Sequence, residues 1–95
     1  MAQPTIRQFR NLVRAGHYRV SLHAREGLED DGLFEKDFRR IILGGRIVEH
    51  QVDRGTGERK YLVFGRTCDG RPAYSAVKIE TGSGRLVAIT VYAVA

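Results

Sequence analysis

The sequence predicts an α+β domain, with two or three amino-terminal helices packed on an antiparallel sheet of four strands or slightly more. Three observations predict it. Apolar residues recur at helical spacing in the first half of the chain and alternate in short runs in the second. Each helical stretch ends on glycine, at Gly16, Gly32 and Gly44-Gly45. The later runs are joined by turns too short for the crossovers that parallel strands require.

Ile6, Phe9, Leu12 and Val13 mark a first helix over residues 5–15, with Thr5 as its N-cap. Tyr18-Arg19-Val20 reads as short and extended. Ser21 then caps a second helix over residues 22–31, which Gly32 stops. The acidic run Glu29-Asp30-Asp31 sits at that helix's carboxyl end, where the dipole opposes it, and reads as a surface compromise. Phe34, Phe38, Ile41 and Ile42 mark a third helix over residues 35–43, with Phe34 and Phe38 spaced like a hydrophobic staple.

Strands follow over residues 46–52, 59–65, 73–79 and 86–94, separated by turn sequences such as Asp53-Arg54-Gly55 and Asp69-Gly70-Arg71-Pro72. Alternation in the last strand groups Val87, Ile89 and Val91 toward the helices, and Leu86, Ala88, Thr90 and Tyr92 on the other side. In the strand before it, Val77 and Ile79 oppose Tyr74, Ala76 and Lys78. The face away from the helices is thus expected to carry Tyr74, Lys78, Thr90 and Tyr92, joined by either Lys60 or Tyr61.

The chain has 95 residues, which is one domain over its whole length, 1–95. It carries a net charge of +5, which favours an anionic partner such as nucleic acid. No apolar run approaches the roughly 20 residues that cross a bilayer, and residues 1–5 lack a signal-peptide pattern, so a cytoplasmic protein with no membrane partner is the expectation. Cys68, the single cysteine, excludes an internal disulfide and reads as a structural or incidental thiol, with a nucleophile as the alternative. His17, His23 and His50 lack metal-ligand spacing. The glycines at 55, 57, 82 and 84 lie in hairpin-like turns, not between a strand and a helix. No cofactor or metal is expected.

The candidate chemistry begins at Ser21-Leu22-His23-Ala24-Arg25-Glu26. It places His23 in a first helical turn, where the dipole disfavours a charged imidazole and leaves a proton acceptor. Arg25 offers a bidentate phosphate clamp, and the open amides of a helix start attract anions. Arg7, Arg10 and Arg14 form a stripe on the first helix, read as a solvated face or a phosphate contact.

Together with Gly32-Leu33, Gly44-Gly45, Tyr61-Leu62-Val63, Asp69-Gly70-Arg71-Pro72 and Ile89-Thr90-Val91-Tyr92, this segment resembles the DUF4258 family over residues 18–92. Where the family pattern has arginines, this chain has Gly27 and Asp31. The resemblance implies the helices-on-sheet fold shared by barnase, colicin ribonuclease domains and RelE-like toxins. It implies metal-independent RNA cleavage, often by a toxin paired with an antitoxin, with site residues at His23, Arg25, Thr90 and Tyr92.

The mechanism expected on that basis is attack by an RNA 2′-hydroxyl on the adjacent phosphorus. His23 would carry the proton, and Arg25 and Lys78 would stabilise phosphoryl charge. Thr90 and Tyr92 would complete a shared anion pocket with them, while Arg7, Arg10, Arg14, Arg71 and Tyr74 would bind RNA. The partners implied are single-stranded RNA, ribosome-associated mRNA among the candidates, and an antitoxin. Two rivals stay open. One is a binding module for RNA or protein without turnover. The other is an assembly protein, such as a homodimer, whose last strand forms a sheet edge.

Overall fold

The computed structural model describes residues 4–94; residues 1–3 of the stretch read for a targeting signal lie outside them. Three helices, α1 (Ile6–Arg14), α2 (Leu22–Asp30) and α3 (Glu35–Gly44), cover one face of a five-stranded sheet. The strands are β1 (Tyr18–Val20), β2 (Arg46–Val52), β3 (Arg59–Arg66), β4 (Pro72–Ile79) and β5 (Leu86–Ala93), in the order β1-β5-β4-β3-β2. The last four form the expected antiparallel meander. The sheet as a whole is mixed, because the short segment β1 pairs parallel to β5.

The caps anticipated from sequence set the first two helix starts. The Thr5 hydroxyl accepts the Gln8 backbone N–H at 3.4 Å while the Gln8 side-chain Oε1 accepts the Thr5 N–H at 2.8 Å. The Ser21 hydroxyl accepts the Ala24 N–H at 3.1 Å. At α3 the expected staple is displaced by one residue. Phe34 is the N-cap and is 67% exposed, while Leu33 and Phe38 are buried. The α3 cap is supplied by Asp37, whose carboxylate accepts N–H groups of Phe34 and Cys68, both at 2.8 Å. Burial pushes the Asp37 carboxyl up, but those two donors outweigh it and hold it below the ordinary carboxylate value.

The core forms where Phe9 and Val13 of α1, Ala24 and Leu28 of α2, and Phe38, Ile41 and Ile42 of α3 meet Tyr61, Val63, Val77, Leu86, Ala88 and Val91 of the sheet. Each large side chain buried there contributes about 1.5–3 kcal/mol. Close backbone approach locks α3 onto β3. A Cβ at Gly65 would sit 2.6 Å from the Ile41 carbonyl oxygen, so only glycine fits.

Two sequence expectations are corrected in β5. The pairing with β4 shifts between Ala76 and Val77, which leaves Ile89 as a bulge between Ala88 and Thr90. The extra residue reverses the alternation along the strand. Leu86 and Ala88 face the helices with Val91, and Val87 lies on the opposite face with Thr90 and Tyr92. The second correction concerns exposure. β5 is not a sheet edge, because β1 pairs along its first half and α2 covers the rest. The Ser21 N–H donates to the Ala88 carbonyl at 3.1 Å and its hydroxyl donates to the Ile89 carbonyl at 3.2 Å. Asp31, the α2 C-cap, accepts the Ala93 N–H at 2.8 Å. The edge strands are β1 and β2.

Candidate nucleic-acid interface

The sheet face turned away from the helices is organised in transverse rows, because directly opposed residues of paired strands project to the same side. One row runs Tyr92, Tyr74, Phe64, Arg46 across β5, β4, β3 and β2. Its rings pack in sequence. Phe64 and Tyr74 have centroids 5.1 Å apart, and Tyr74 and Tyr92 stack at 5.5 Å with planes 26° apart. Tyr92, at the end of the ring column, is 41% exposed.

The next row is Thr90, Ala76, Leu62, Glu49, with small side chains on β5 and β4 and larger ones, including the Glu49 carboxylate, on β3 and β2. Beyond it stand Arg19, Val87 and Lys78 in register, with Lys60 opposite Gln51. Val87 is only 2% exposed, yet it lies outside the main core cluster, on this face between two cations. By side-chain size, the stretch over β5 and β4 is a shallow trough with an aromatic wall, a low floor of Thr90 and Ala76, and a cationic wall. The walls are four residues apart along β4, roughly 13 Å.

The cationic wall is partly matched by acid. Lys78 Nζ lies 3.2 Å from Glu58, and Arg19 lies 2.9 Å from Glu80. Both pairs are partly exposed, so water and ligand anions compete with them. Glu80 also accepts from the Ser83 hydroxyl at 2.7 Å and from Arg85 at 2.9 Å. Ser83, Arg85 and Arg19, in that order, lower its carboxyl to about 2.

The expected site residues divide between the two sides of the sheet. Tyr74, Lys78, Thr90 and Tyr92 share the open face. Lys60 joins them, because Tyr61 is buried on the helix side and stacks on His50 at 4.8 Å. Arg25 does not join them. Its guanidinium lies 3.4 Å from Glu35, which also accepts the Tyr18 hydroxyl at 2.9 Å, and Tyr18 packs on Phe38 in the helix layer.

His23 is exposed one turn before Gly27, on the flank of α2 that borders β5. Arg25 is two residues further round the helix, about 200° away. The shared pocket of His23, Arg25, Thr90 and Tyr92 is therefore not assembled. Adjacent polar positions in one helical turn point apart, and each goes to a different face.

The arginines assigned to RNA are also elsewhere. Arg7 and Arg14 are exposed on α1 in the helix layer, while Arg10 is partly buried and donates to the Gly45 carbonyl at 2.9 Å. Arg71 is held in the β3–β4 turn by Asp69 at 3.2 Å and by the Asp31 carbonyl at 3.2 Å. Cys68 is an exposed free thiol whose sulfur lies 3.6 Å from the Lys36 carbonyl. Sequence reading missed Phe64, Arg46 and Arg19 on the open face. Their signal was the strand register, which needs the pairing to be known. Among the described residues, no group of three or more His, Cys, Asp or Glu side chains is placed to hold a metal ion, and no helix is long and apolar enough to cross a membrane.

A protein-family model, described as a domain of unknown function (DUF4258), matches residues 20–93. The chain belongs to the DUF4258 family. The matched span begins at the last residue of β1 and takes in α2, α3 and β2 to β5, so it covers the open face apart from Arg19, together with the edge-covering helix, and leaves out α1. Comparison with the curated proteins and with the solved structures gave no match.

Proposed function

We propose that this DUF4258 protein binds single-stranded RNA across the open face of its sheet. The observation that carries the reading is the ring column Tyr92–Tyr74–Phe64, half-exposed and facing a cationic wall across a low floor. Unpaired bases stack on such rings, and each stack is worth about 1–3 kcal/mol. Phosphates on the same strand would meet Lys60, Lys78 and Arg19. A basic chain adds long-range attraction for the polyanion. Duplex RNA fits poorly, because its bases are not free to stack on side chains. A cytoplasmic location is part of the same proposal.

The test is binding of labelled single-stranded RNA at several salt concentrations. Affinity should fall with salt, and Tyr92→Ala or Tyr74→Ala should weaken binding by about 1–3 kcal/mol. Unchanged affinity in both ring variants would sink the assignment of this face.

A second reading adds cleavage. It is favoured by the Lys78–Glu58 pair, which sets an acid and a base on the face that also carries Thr90 and Tyr92, with His23 exposed at its border. On this reading the protein is a toxin-type, metal-independent endoribonuclease related to RelE-like and barnase-like enzymes and restrained by an antitoxin. Glu58 or His23 would take the proton of the attacking 2′-hydroxyl, and Lys78 would steady charge on the phosphoryl oxygens. The bond from phosphorus to the 5′-oxygen would break, giving one strand that ends in a 2′,3′-cyclic phosphate and one whose departing oxygen takes up the proton as a 5′-hydroxyl. Intact RNA after prolonged incubation with the wild-type protein would leave binding as the function.

A further inference from the structure

The ring column ends at Arg46, and Arg46 opens onto a cleft of about 520 Å³ where the end of α3 meets β2 and β3. Arg40, Arg46 and Arg66 line it, together with Phe64, Gly44 and Cys68, and no carboxylate does. Ion pairs among the described residues engage Arg19, Arg25, Arg71, Arg85 and Lys78, and leave the three cleft arginines without an acidic partner. Arg66 donates one N–H to the Gly70 carbonyl at 3.0 Å and keeps its remaining donors.

The frame around the cleft is rigid. A Cβ at Gly45 would collide with the Ile41 and Phe64 carbonyl oxygens, and one at Gly65 would lie 2.6 Å from that of Ile41. Gly44, by contrast, has open space where a Cβ would be. Phe64 belongs both to the cleft wall and to the ring column.

We propose that this cleft seats the terminal phosphate of the bound RNA strand. The inference rests on the RNA-binding reading, because Phe64 would stack the base next to that phosphate. Charge selects the terminal group. A phosphodiester carries a single negative charge and two free oxygens. A phosphate monoester carries about −1.5 to −2 at pH 7 and three acceptor oxygens. Three guanidinium groups with no acid among them match the monoester, and each guanidinium fork accommodates phosphate oxygens in bidentate fashion. The strand would then run from the cleft along the ring column toward Tyr92, with its end fixed at the β2 side.

The experiment compares oligoribonucleotides of one sequence carrying a 5′-phosphate, a 3′-phosphate, or hydroxyls at both ends. Each is titrated against the wild-type protein and against Arg40→Gln/Arg66→Gln. One phosphorylated form should bind the wild type about tenfold more tightly than the hydroxyl-ended strand, a gap of about 1.4 kcal/mol. The double variant should erase that gap and still bind the hydroxyl-ended strand, while Arg40→Lys/Arg66→Lys should restore part of it.

Equal binding of all three strands to the wild type overturns the terminal-phosphate seat and leaves the RNA-binding face standing. If the wild type binds no strand, the RNA reading fails, and inorganic pyrophosphate titrated against the arginine Nε–H resonances reads the cleft by itself. Perturbation that the double variant abolishes keeps a phosphoryl-anion site, and no perturbation removes it. Inorganic phosphate binding as tightly as the phosphorylated strand overturns the strand-end assignment in favour of a free anion.

Discussion

A Cβ at residue 27 would collide with the carbonyl oxygen of Val91, so Gly27 lets α2 lie directly against the backbone of β5. This contact sits between two others that close the same strand edge, the Ser21 hydroxyl on the Ile89 carbonyl and the Asp31 carboxylate on the Ala93 N–H. A helix thus takes over where β1 ends and covers polar backbone groups that would otherwise template pairing with another chain. Gly27 and Asp31 stand at the two positions where the family resemblance led to an expectation of arginine. Both have a structural role here, Gly27 by admitting the Val91 backbone and Asp31 by accepting the Ala93 N–H.

Gly27→Ala therefore tests packing against propensity. Helix propensity alone favours alanine by about 1 kcal/mol. Forcing a methyl against a backbone carbonyl costs about 1–3 kcal/mol, because α2 must lift off β5. The variant is expected to be less stable than the wild type in urea denaturation. A higher midpoint for Gly27→Ala would mean that α2 does not approach Val91 so closely.

Much of the fold could be read from the sequence because its signals are local. Thr5, Ser21, Gly16 and Gly32 mark helix ends through their own side chains or lack of them. The face holding Tyr74 and Lys78 was legible from alternation in β4. In β5 nearly every residue is apolar, so nothing in the pattern announced the bulge at Ile89 that moves Val87 across the sheet. The ring column was out of reach for a different reason. It needs the register of β3, and Lys60 and Tyr61 were equally plausible on the open face until pairing fixed Tyr61 inward. The separation of His23 from Arg25 was available from helix geometry, since two residues span more than half a turn. Nearness in sequence concealed it.

Acid should destabilise the protein over a defined window. The Glu80 carboxyl falls from an ordinary 4.5 to about 2 in the folded state, held there by Ser83, Arg85 and Arg19. Asp37 is lowered as well, the Phe34 and Cys68 amides outweighing its burial. Groups with depressed folded values leave the unfolded chain binding more protons at intermediate pH, so stability rises with pH there. The stabilisation is present in full above the unfolded value and lost as pH falls toward 2. Urea midpoints measured from neutral pH downward should be flat and then drop across this window, with a shallower drop in Glu80→Gln. An identical acid limb in that variant would show that Glu80 is not held by its three partners.

The division of the expected site gives a selective prediction for RNA. Arg25 and Tyr92 lie on opposite sides of the sheet, and Arg25 meets Glu35 in a pair with both side chains largely exposed. Such a pair contributes little, so Arg25→Gln should change stability by no more than about 0.5–1 kcal/mol. A strand lying in the trough does not touch it, so RNA affinity should stay within about twofold, a difference under about 0.5 kcal/mol. Tyr92→Ala acts in the opposite sense. It removes the exposed end of the ring column, weakening RNA binding while leaving the main core cluster intact. Titration of labelled single-stranded RNA against both variants, with urea melts as the stability control, separates the two outcomes. A loss of affinity in Arg25→Gln equal to that in Tyr92→Ala would move the RNA path onto the helix layer, where the α1 arginines lie.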